Sequence, residues 1–363
     1  MELHALRPAG LRGRRPWRAP LAALASLAVL AAGGCSAGAP LPTVTPSPTL
    51  SAPAVPSEPS GTGGRSGVSS GALFGGDVPL ATEAAKLGRK LAVVRDYYNV
   101  GESFPNATDR QLMAGGSTLL ISLDTTGSPS YASIAAGDAD AAFLQFMRAM
   151  EQAAVTYNLG SIYFCFEHEA NSAAHQAPGT AAQFVQAWKH LHQLAASAHL
   201  NWYDGGRLHW VMILTNPAYR NGSAAQYFPG TNEVDIIGAD GYNTGTCRQA
   251  LSGNVVSAGS KVKTPDQLFG PVLKFAVGNG GLPVFIAEWG SIPYSSSAVQ
   301  PDYIRQMQSF VESNHEIAAA MYWNNHGHGN GCDYSLNDRA SSLSALAAMG
   351  HARSLQGHVV RPG

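Results

Sequence analysis

Ser161-Ile-Tyr-Phe-Cys-Phe-Glu-His-Glu-Ala-Asn171 is the stretch on which the reading of this chain turns. It begins as a short apolar and aromatic run, the pattern of a fully buried strand, and then sets Glu167, His168 and Glu169 where that strand should end. Carboxylates have no packing reason to stand there, so they ask for a chemical one. Far downstream the pattern recurs in Leu282-Pro-Val-Phe-Ile-Ala-Glu-Trp-Gly-Ser291, again an apolar strand delivering a carboxylate, Glu288.

Between and around these two runs, strand-like and helical patterns alternate, the signature of βα units and a parallel sheet. Eight runs can be read: Ala72 to Gly75, Leu91 to Val94, Thr118 to Ser122, Ser161 to Phe166, Leu208 to Leu214, Val234 to Gly238, Pro283 to Ile286 and Ala318 to Trp323. Helical stripes separate several of them. Phe143, Phe146, Met147 and Met150 recur at helical spacing, as do Phe184, Val185, Trp188, Leu191 and Leu194 behind a cap at Thr180. Thr264-Pro265 reads as cap and first-turn proline, and Ile304, Met307, Phe310 and Val311 form a stripe behind Pro301. Eight strands with interleaved helices predict an α/β fold, a (β/α)8 TIM barrel, over residues 71–353, with 354–363 as a tail. A doubly wound sheet is the rival, but no Gly-rich phosphate loop follows an early strand.

In a parallel barrel, reactive groups come from the C-terminal strand ends. Those ends hold Asp96 and Tyr97, Asp124, His168 and Glu169, Asn216, Asp240, Tyr242 and Asn243, Glu288 and Trp289, and Trp323 with Asn324 and Asn325. Such a ring suits sugars, whose apolar faces stack on aromatic rings and whose hydroxyls take hydrogen bonds from amides and carboxylates. Two carboxylates facing each other across a barrel mouth make a glycosidase pair.

Ahead of the barrel, Arg7, Arg12, Arg14, Arg15 and Arg18 precede an apolar run, Leu21 to Ala32, and then Gly33-Gly34-Cys35. Residues 1–34 read as an export signal, too short in its apolar part to span a membrane. Ala-Gly-Gly-Cys resembles a lipobox, which would make Cys35 the lipidated first residue, while an ordinary secretory or a twin-arginine signal fits the same stretch. Residues 36–70 are rich in Pro, Ser, Thr, Ala and Gly and are expected to form a disordered tether. Anchor, tether and domain together predict an extracellular, cell-surface protein that touches the membrane through its lipid alone. Five of the chain's 23 basic residues belong to the leader, and the rest is mildly acidic with no basic stripe, which argues against nucleic acid as a partner.

Of the four cysteines, Cys165 lies inside an apolar strand and reads as a core thiol, while Cys247 and Cys332 fall in loops of an exported chain and are disulfide candidates. His326, His328 and Cys332 raise a metal site, but the second histidine of the zinc-protease spacing is missing, since position 172 is Ser.

His168-Glu169-Ala170-Asn171, Tyr227-Phe-Pro-Gly230, Val234-Asp-Ile-Ile-Gly-Ala-Asp-Gly-Tyr-Asn243, Ile286-Ala-Glu-Trp-Gly290, Met321-Tyr-Trp323 and Cys332 to Asp338 resemble, in order, the signature segments of glycoside hydrolase family 26. The resemblance implies a retaining endo-β-glycanase, with β-mannan, β-1,3-xylan or mixed-linkage β-glucan as polysaccharide substrate, acting as a monomer without cofactor or metal. It implies Glu169 as acid/base and Glu288 as nucleophile. His168 and Trp323 would line the sugar subsite beside the scissile bond, Trp323 as its floor, and Tyr242 would hold Glu288. Asn171, Asp240 and Trp289 are expected to support them. The family motif carries an arginine before its histidine and an aromatic after it; here Cys165-Phe166-Glu167 and Ser172-Ala-Ala-His175 stand instead, which leaves room for a different glycan or for a barrel that binds polysaccharide without turnover.

Overall fold

Along each of the eight predicted strands, alternate side chains point to opposite faces. Both faces are buried here. Leu73, Val93, Leu120, Tyr163, Cys165, Val211, Ile213, Ile236 and Phe285 fill an inner cluster. Their sequence neighbours Phe74, Val94, Leu119, Ile121, Phe164, Met212 and Ile286 belong to a second, outer cluster shared with the helices. A sheet buried on both faces is a parallel sheet covered by helices. The computed structural model describes residues 65–172, 178–245, 247–250, 253–256, 261–294, 296–325, 332–337 and 339–360, with only the backbone of 247–250 and 253–256.

The strands are β1 (Val68–Asp77), β2 (Val93–Asn99), β3 (Thr118–Asp124), β4 (Ile162–Phe166), β5 (Leu208–Thr215), β6 (Ile236–Asn243), β7 (Val284–Ser291) and β8 (Ile317–Tyr322). Each pairs in parallel with the next, and β8 closes on β1 through Leu73 opposite Ala319 and Gly75 opposite Met321. Closure rules out the open doubly wound sheet. A helix follows each strand: α1 (Val78–Thr82), α2 (Ala107–Ala114), α3 (Asp140–Thr156), α4 (Ala181–Ser197), α5 (Asn216–Asn221), α6 (Pro265–Gly278), α7 (Val299–Ser313) and α8 (Ala340–His351). The fold is therefore a (β/α)8 barrel.

The stripes read from the sequence run as helices, two of them from well-made starts. Thr180 and Thr264 each form a reciprocal capping box with the glutamine three residues on, satisfying amides that open α4 and α6. Phe143, Met147 and Met150 of α3, and Tyr303, Ile304 and Met307 of α7, are buried against the barrel. Burial of each such side chain is worth roughly 1.5–3 kcal/mol.

The barrel floor is closed by the chain just before β1. Tyr163 Oη donates to the Ser66 carbonyl at 2.9 Å, and Ser161 Oγ donates to the Val360 carbonyl at 3.1 Å. Gly67 has φ +61°, and a Cβ there would stand 2.4 Å from Ser161 Oγ and 2.5 Å from His209 Nε2, so no side chain fits. Residues 356–359, read from the sequence as tail, instead form a short strand (Gln356–Val359) antiparallel to the start of β1. Its polar composition hid it.

One irregularity in β7 decides where Glu288 points. Ala239 of β6 faces Ile286, yet Asp240 faces Glu288, so Ala287 is an extra residue, a β-bulge. Ala287 joins the inner cluster with Phe285. Regular alternation from Phe285 would send Glu288 outward; the bulge turns it into the barrel mouth.

Among the described residues Cys165 is the free cysteine, buried as expected, and Cys332 is disulfide-bonded. The side chain of Cys247, its candidate partner, lies outside the described residues, as do the leader, Cys35, the tether up to residue 64, His326 and His328; residues 65–70, expected as the end of the tether, instead belong to the barrel floor and the start of β1. No helix among the described residues is long and apolar enough to cross a membrane.

Candidate active site

The inward positions of β2 run Val93, Arg95, Tyr97, climbing from the apolar core to the mouth. Arg95 is buried, 1 % exposed. Its Nη1 donates to Asp240 Oδ1 at 2.8 Å and lies 2.9 Å from Glu288 Oε1. A guanidinium in such a place must be paired. Burial alone would lower it, but Asp240 and Glu288 outweigh that and hold it well above its ordinary value.

Glu288 is gripped from both sides. Tyr97 donates its hydroxyl to Oε1, the oxygen beside Arg95, and Tyr242 donates to Oε2. Burial and the neighbouring carboxylates push both phenols well above their ordinary value, so both keep the proton they donate.

Glu169 follows β4, where the backbone leaves the strand irregularly. Glu167 and Glu169 both have left-handed backbones, φ +52° and +51°, on either side of His168. Such residues without a glycine's freedom cost of order 1 kcal/mol or more and cluster at functional sites. The Glu169 amide is fixed by the Ile213 carbonyl at 2.9 Å. Burial, then the charge of Glu288, push the Glu169 carboxyl upward, against the pull of His168 and Arg95. Burial and the charges of Glu288 and Glu169 also push Asp240 well up, although Arg95 is bonded to it. Burial and like charge beside Glu288 thus disfavour the ionised form of both Glu169 and Asp240.

The left-handed turn at Glu167 breaks the alternation that would place it beneath Glu169. Its Oε2 accepts instead from the Thr125 amide at 3.1 Å, bracing the loop after β3. Burial and the adjacent Asp124 raise this carboxyl to about 7. Asp124 itself accepts from His168 Nδ1 at 3.0 Å, orienting the ring. The His168 ring and the half-buried Trp323 both meet Tyr97 edge-on, with centroids 5.2 and 5.8 Å away.

Asn171 exchanges hydrogen bonds with Thr215, linking the loop after β4 to the end of β5. Trp289 is fully buried on the outer side of β7, packed on Tyr303 and Tyr322, and so is no direct sugar contact. Three amides from the predicted ring are also engaged structurally. Asn216 reaches the Leu268 carbonyl, Asn243 binds Ser291, Lys263 and Tyr294, and Asn324 accepts from Leu336. The structure thus brings Glu169, Glu288, His168, Tyr242, Trp323 and Asp240 to one mouth together with Tyr97 and Asp124 of the predicted ring, and adds Arg95.

No protein-family model and no curated protein matches the chain. Solved structures do. A family 26 β-mannanase from Bacteroides ovatus superimposes with a TM-score of 0.56 at 10% identity, over 78% of this chain and 90% of that one. A fungal β-1,4-galactanase gives 0.52 at 16%, over 76% and 93%. A modular endo-β-1,4-mannanase of family 26 from Cellulomonas fimi gives 0.52 at 13%, over 80% and 75%. At these identities the likeness establishes the fold.

Proposed function

We propose that this protein is a retaining glycoside hydrolase cleaving a β-linked polysaccharide, with β-mannan the first candidate and β-1,3-xylan or mixed-linkage β-glucan the alternatives. The observation that carries the proposal is the contrast between two carboxyls at one mouth. Glu288 is held by Tyr97, Tyr242 and Arg95 on both its oxygens, while burial and the Glu288 charge push Glu169 toward its protonated form. Carboxyls whose surroundings drive them apart divide the labour of acid and nucleophile.

In this reading Glu169 protonates the leaving oxygen as Glu288 attacks the anomeric carbon, giving a glycosyl-enzyme ester and a free chain end. Glu169, now ionised, takes a proton from water, whose oxygen displaces Glu288 with retention. Once Glu288 is esterified its charge is lost, and the Glu169 carboxyl falls back toward its ordinary range, as a base requires. Tyr97 and Tyr242 fix the attacking carboxylate, Asp124 orients His168 toward the sugar, and Trp323 forms the apolar floor. The mannanases and galactanase with the same barrel support this reading. The leader and Cys35 favour an enzyme tethered to the outer face of the cell.

The test is reducing-sugar release from the three polymers by the full chain and by Glu169→Ala and Glu288→Ala. Activity on one polymer, lost in both variants, is expected. Activity unaffected by either variant overturns the assignment, and binding without release by the unaltered chain replaces the enzyme with a polysaccharide-binding barrel.

A further inference from the structure

Asp77 ends β1 at the mouth and is 2 % exposed. Its two oxygens serve different elements. Oδ1 accepts from the Leu80 amide at 2.9 Å and caps α1, while Oδ2 accepts from the Asn324 amide, also at 2.9 Å, across the seam where β8 meets β1. Asn324 is the residue after Trp323. The Trp323 amide itself donates to the Trp289 carbonyl at 2.9 Å, so the backbone that carries the indole is fixed to β7 at one residue and to Asp77 at the next.

The hold extends outward. Asn324 Oδ1 accepts from the Leu336 amide at 2.7 Å, and the Tyr334 amide donates to the Asn325 carbonyl at 3.1 Å. Tyr334 packs on Tyr242, ring centroids 4.7 Å apart. One carboxylate therefore anchors the segment that carries Trp323 and the wall behind it.

We propose that Asp77 is a positioning residue that sets Trp323 over the cleft through the Asn324 amide, and that it does so only while ionised. The inference rests on the proposed role of Trp323 as the sugar floor. An ionised carboxylate offers a strong acceptor on each oxygen; a proton on either one leaves a neutral, poorer acceptor there and puts a hydrogen beside the incoming N–H, so one of the two amide bonds weakens. The charged or titratable groups around Asp77 are Arg95 opposite it on β2, Glu288 on β7 and Tyr322 on β8, while α1 brings none. Burial first, and then Glu288, raise the Asp77 carboxyl to about 7, which sets the transition in an accessible range.

Two variants separate the roles. Asp77→Asn keeps one acceptor and imitates the protonated acid. Asp77→Ser restores a good helix cap but is too short to reach Asn324. In the unaltered full-length protein KM on the hydrolysed polymer should rise severalfold as pH falls through about 7. Both variants should show the raised KM at every pH, with kcat little changed, and each should still melt cooperatively, though below the unaltered protein because a buried amide loses its acceptor. A KM in both variants that matches the unaltered protein and still moves with pH overturns the proposal. Acrylamide quenching of Trp323, isolated by difference from Trp323→Phe, reads the same event without turnover. It should titrate near 7 in the unaltered protein and stay flat in Asp77→Asn. A flat signal in both overturns the positioning role, whereas a titrating signal in a protein that hydrolyses no polymer sinks the glycosidase reading and leaves the positioning role standing.

Discussion

Tyr97, one of the predicted ring at the strand ends, touches several residues of the mouth at once. Its hydroxyl holds Glu288, its ring lies 5.0 Å from the Arg95 guanidinium, and His168 and Trp323 rest against its edges. Tyr97→Phe keeps the packing and deletes one donor, so kcat/KM should fall by about a hundredfold, as for other donors preorganised on reacting charge. Chromogenic aryl glycosides would measure this loss. With such substrates, azide should restore turnover to Glu169→Ala and yield the β-glycosyl azide, because only the second displacement needs the missing base. An α-azide product would assign Glu169 the nucleophile's place instead. The places of Glu169 and Glu288 at the mouth were legible because each follows an apolar strand, but place alone does not give a role: Glu167 ends the same run and braces the loop after β3. Arg95 was not legible: it lies in the run's own continuation, and only the inward phase from Val93 reveals that it enters the barrel.

Elements were legible in proportion to their length and contrast. The α3 and α4 stripes and the eight strands announced themselves through period and capping, whereas α2 spans eight residues and α8 is largely small residues, too little contrast to read. The β7 bulge was invisible, since Ala287 looks like any strand residue and its effect lies in the pairing with β6. Asp77 was hidden by the weak, glycine-bearing end of β1. Thr180→Ala removes the Gln183 amide's acceptor and breaks one capping box. It should cost about 1 kcal/mol in urea unfolding while kcat stays unchanged.

For the molecule as a whole, burial has left three carboxyls, Asp77, Glu167 and Asp235, at about 7. Each holds its proton more tightly folded than unfolded, so its stabilisation is full below the ordinary carboxyl range and is lost as pH climbs toward 7. His209, fully buried on the floor, is lowered by that burial to about 3 from 6.5. Below 6.5 the unfolded chain therefore gains a proton that the folded one refuses, and the two trends oppose. Three carboxyls outnumber the one imidazole, so folding still takes up about two protons below 6.5 and melting temperature should go on rising as pH falls from 7 to about 5, less steeply than the carboxyls alone would give. Asp235→Asn, which keeps an acceptor for the Trp210 amide, should flatten the first part of that curve in a thermal melt.

The strand Gln356–Val359 pairs with the beginning of β1, so residues 65 and 360 leave the barrel together beneath its floor. Any handle grafted at either of these points must cross the full height of the cylinder before it can reach the opening. A reporter, a bead or a solid support joined there leaves the cleft presented outward, and a long polymer can be threaded across it without steric competition from the attachment.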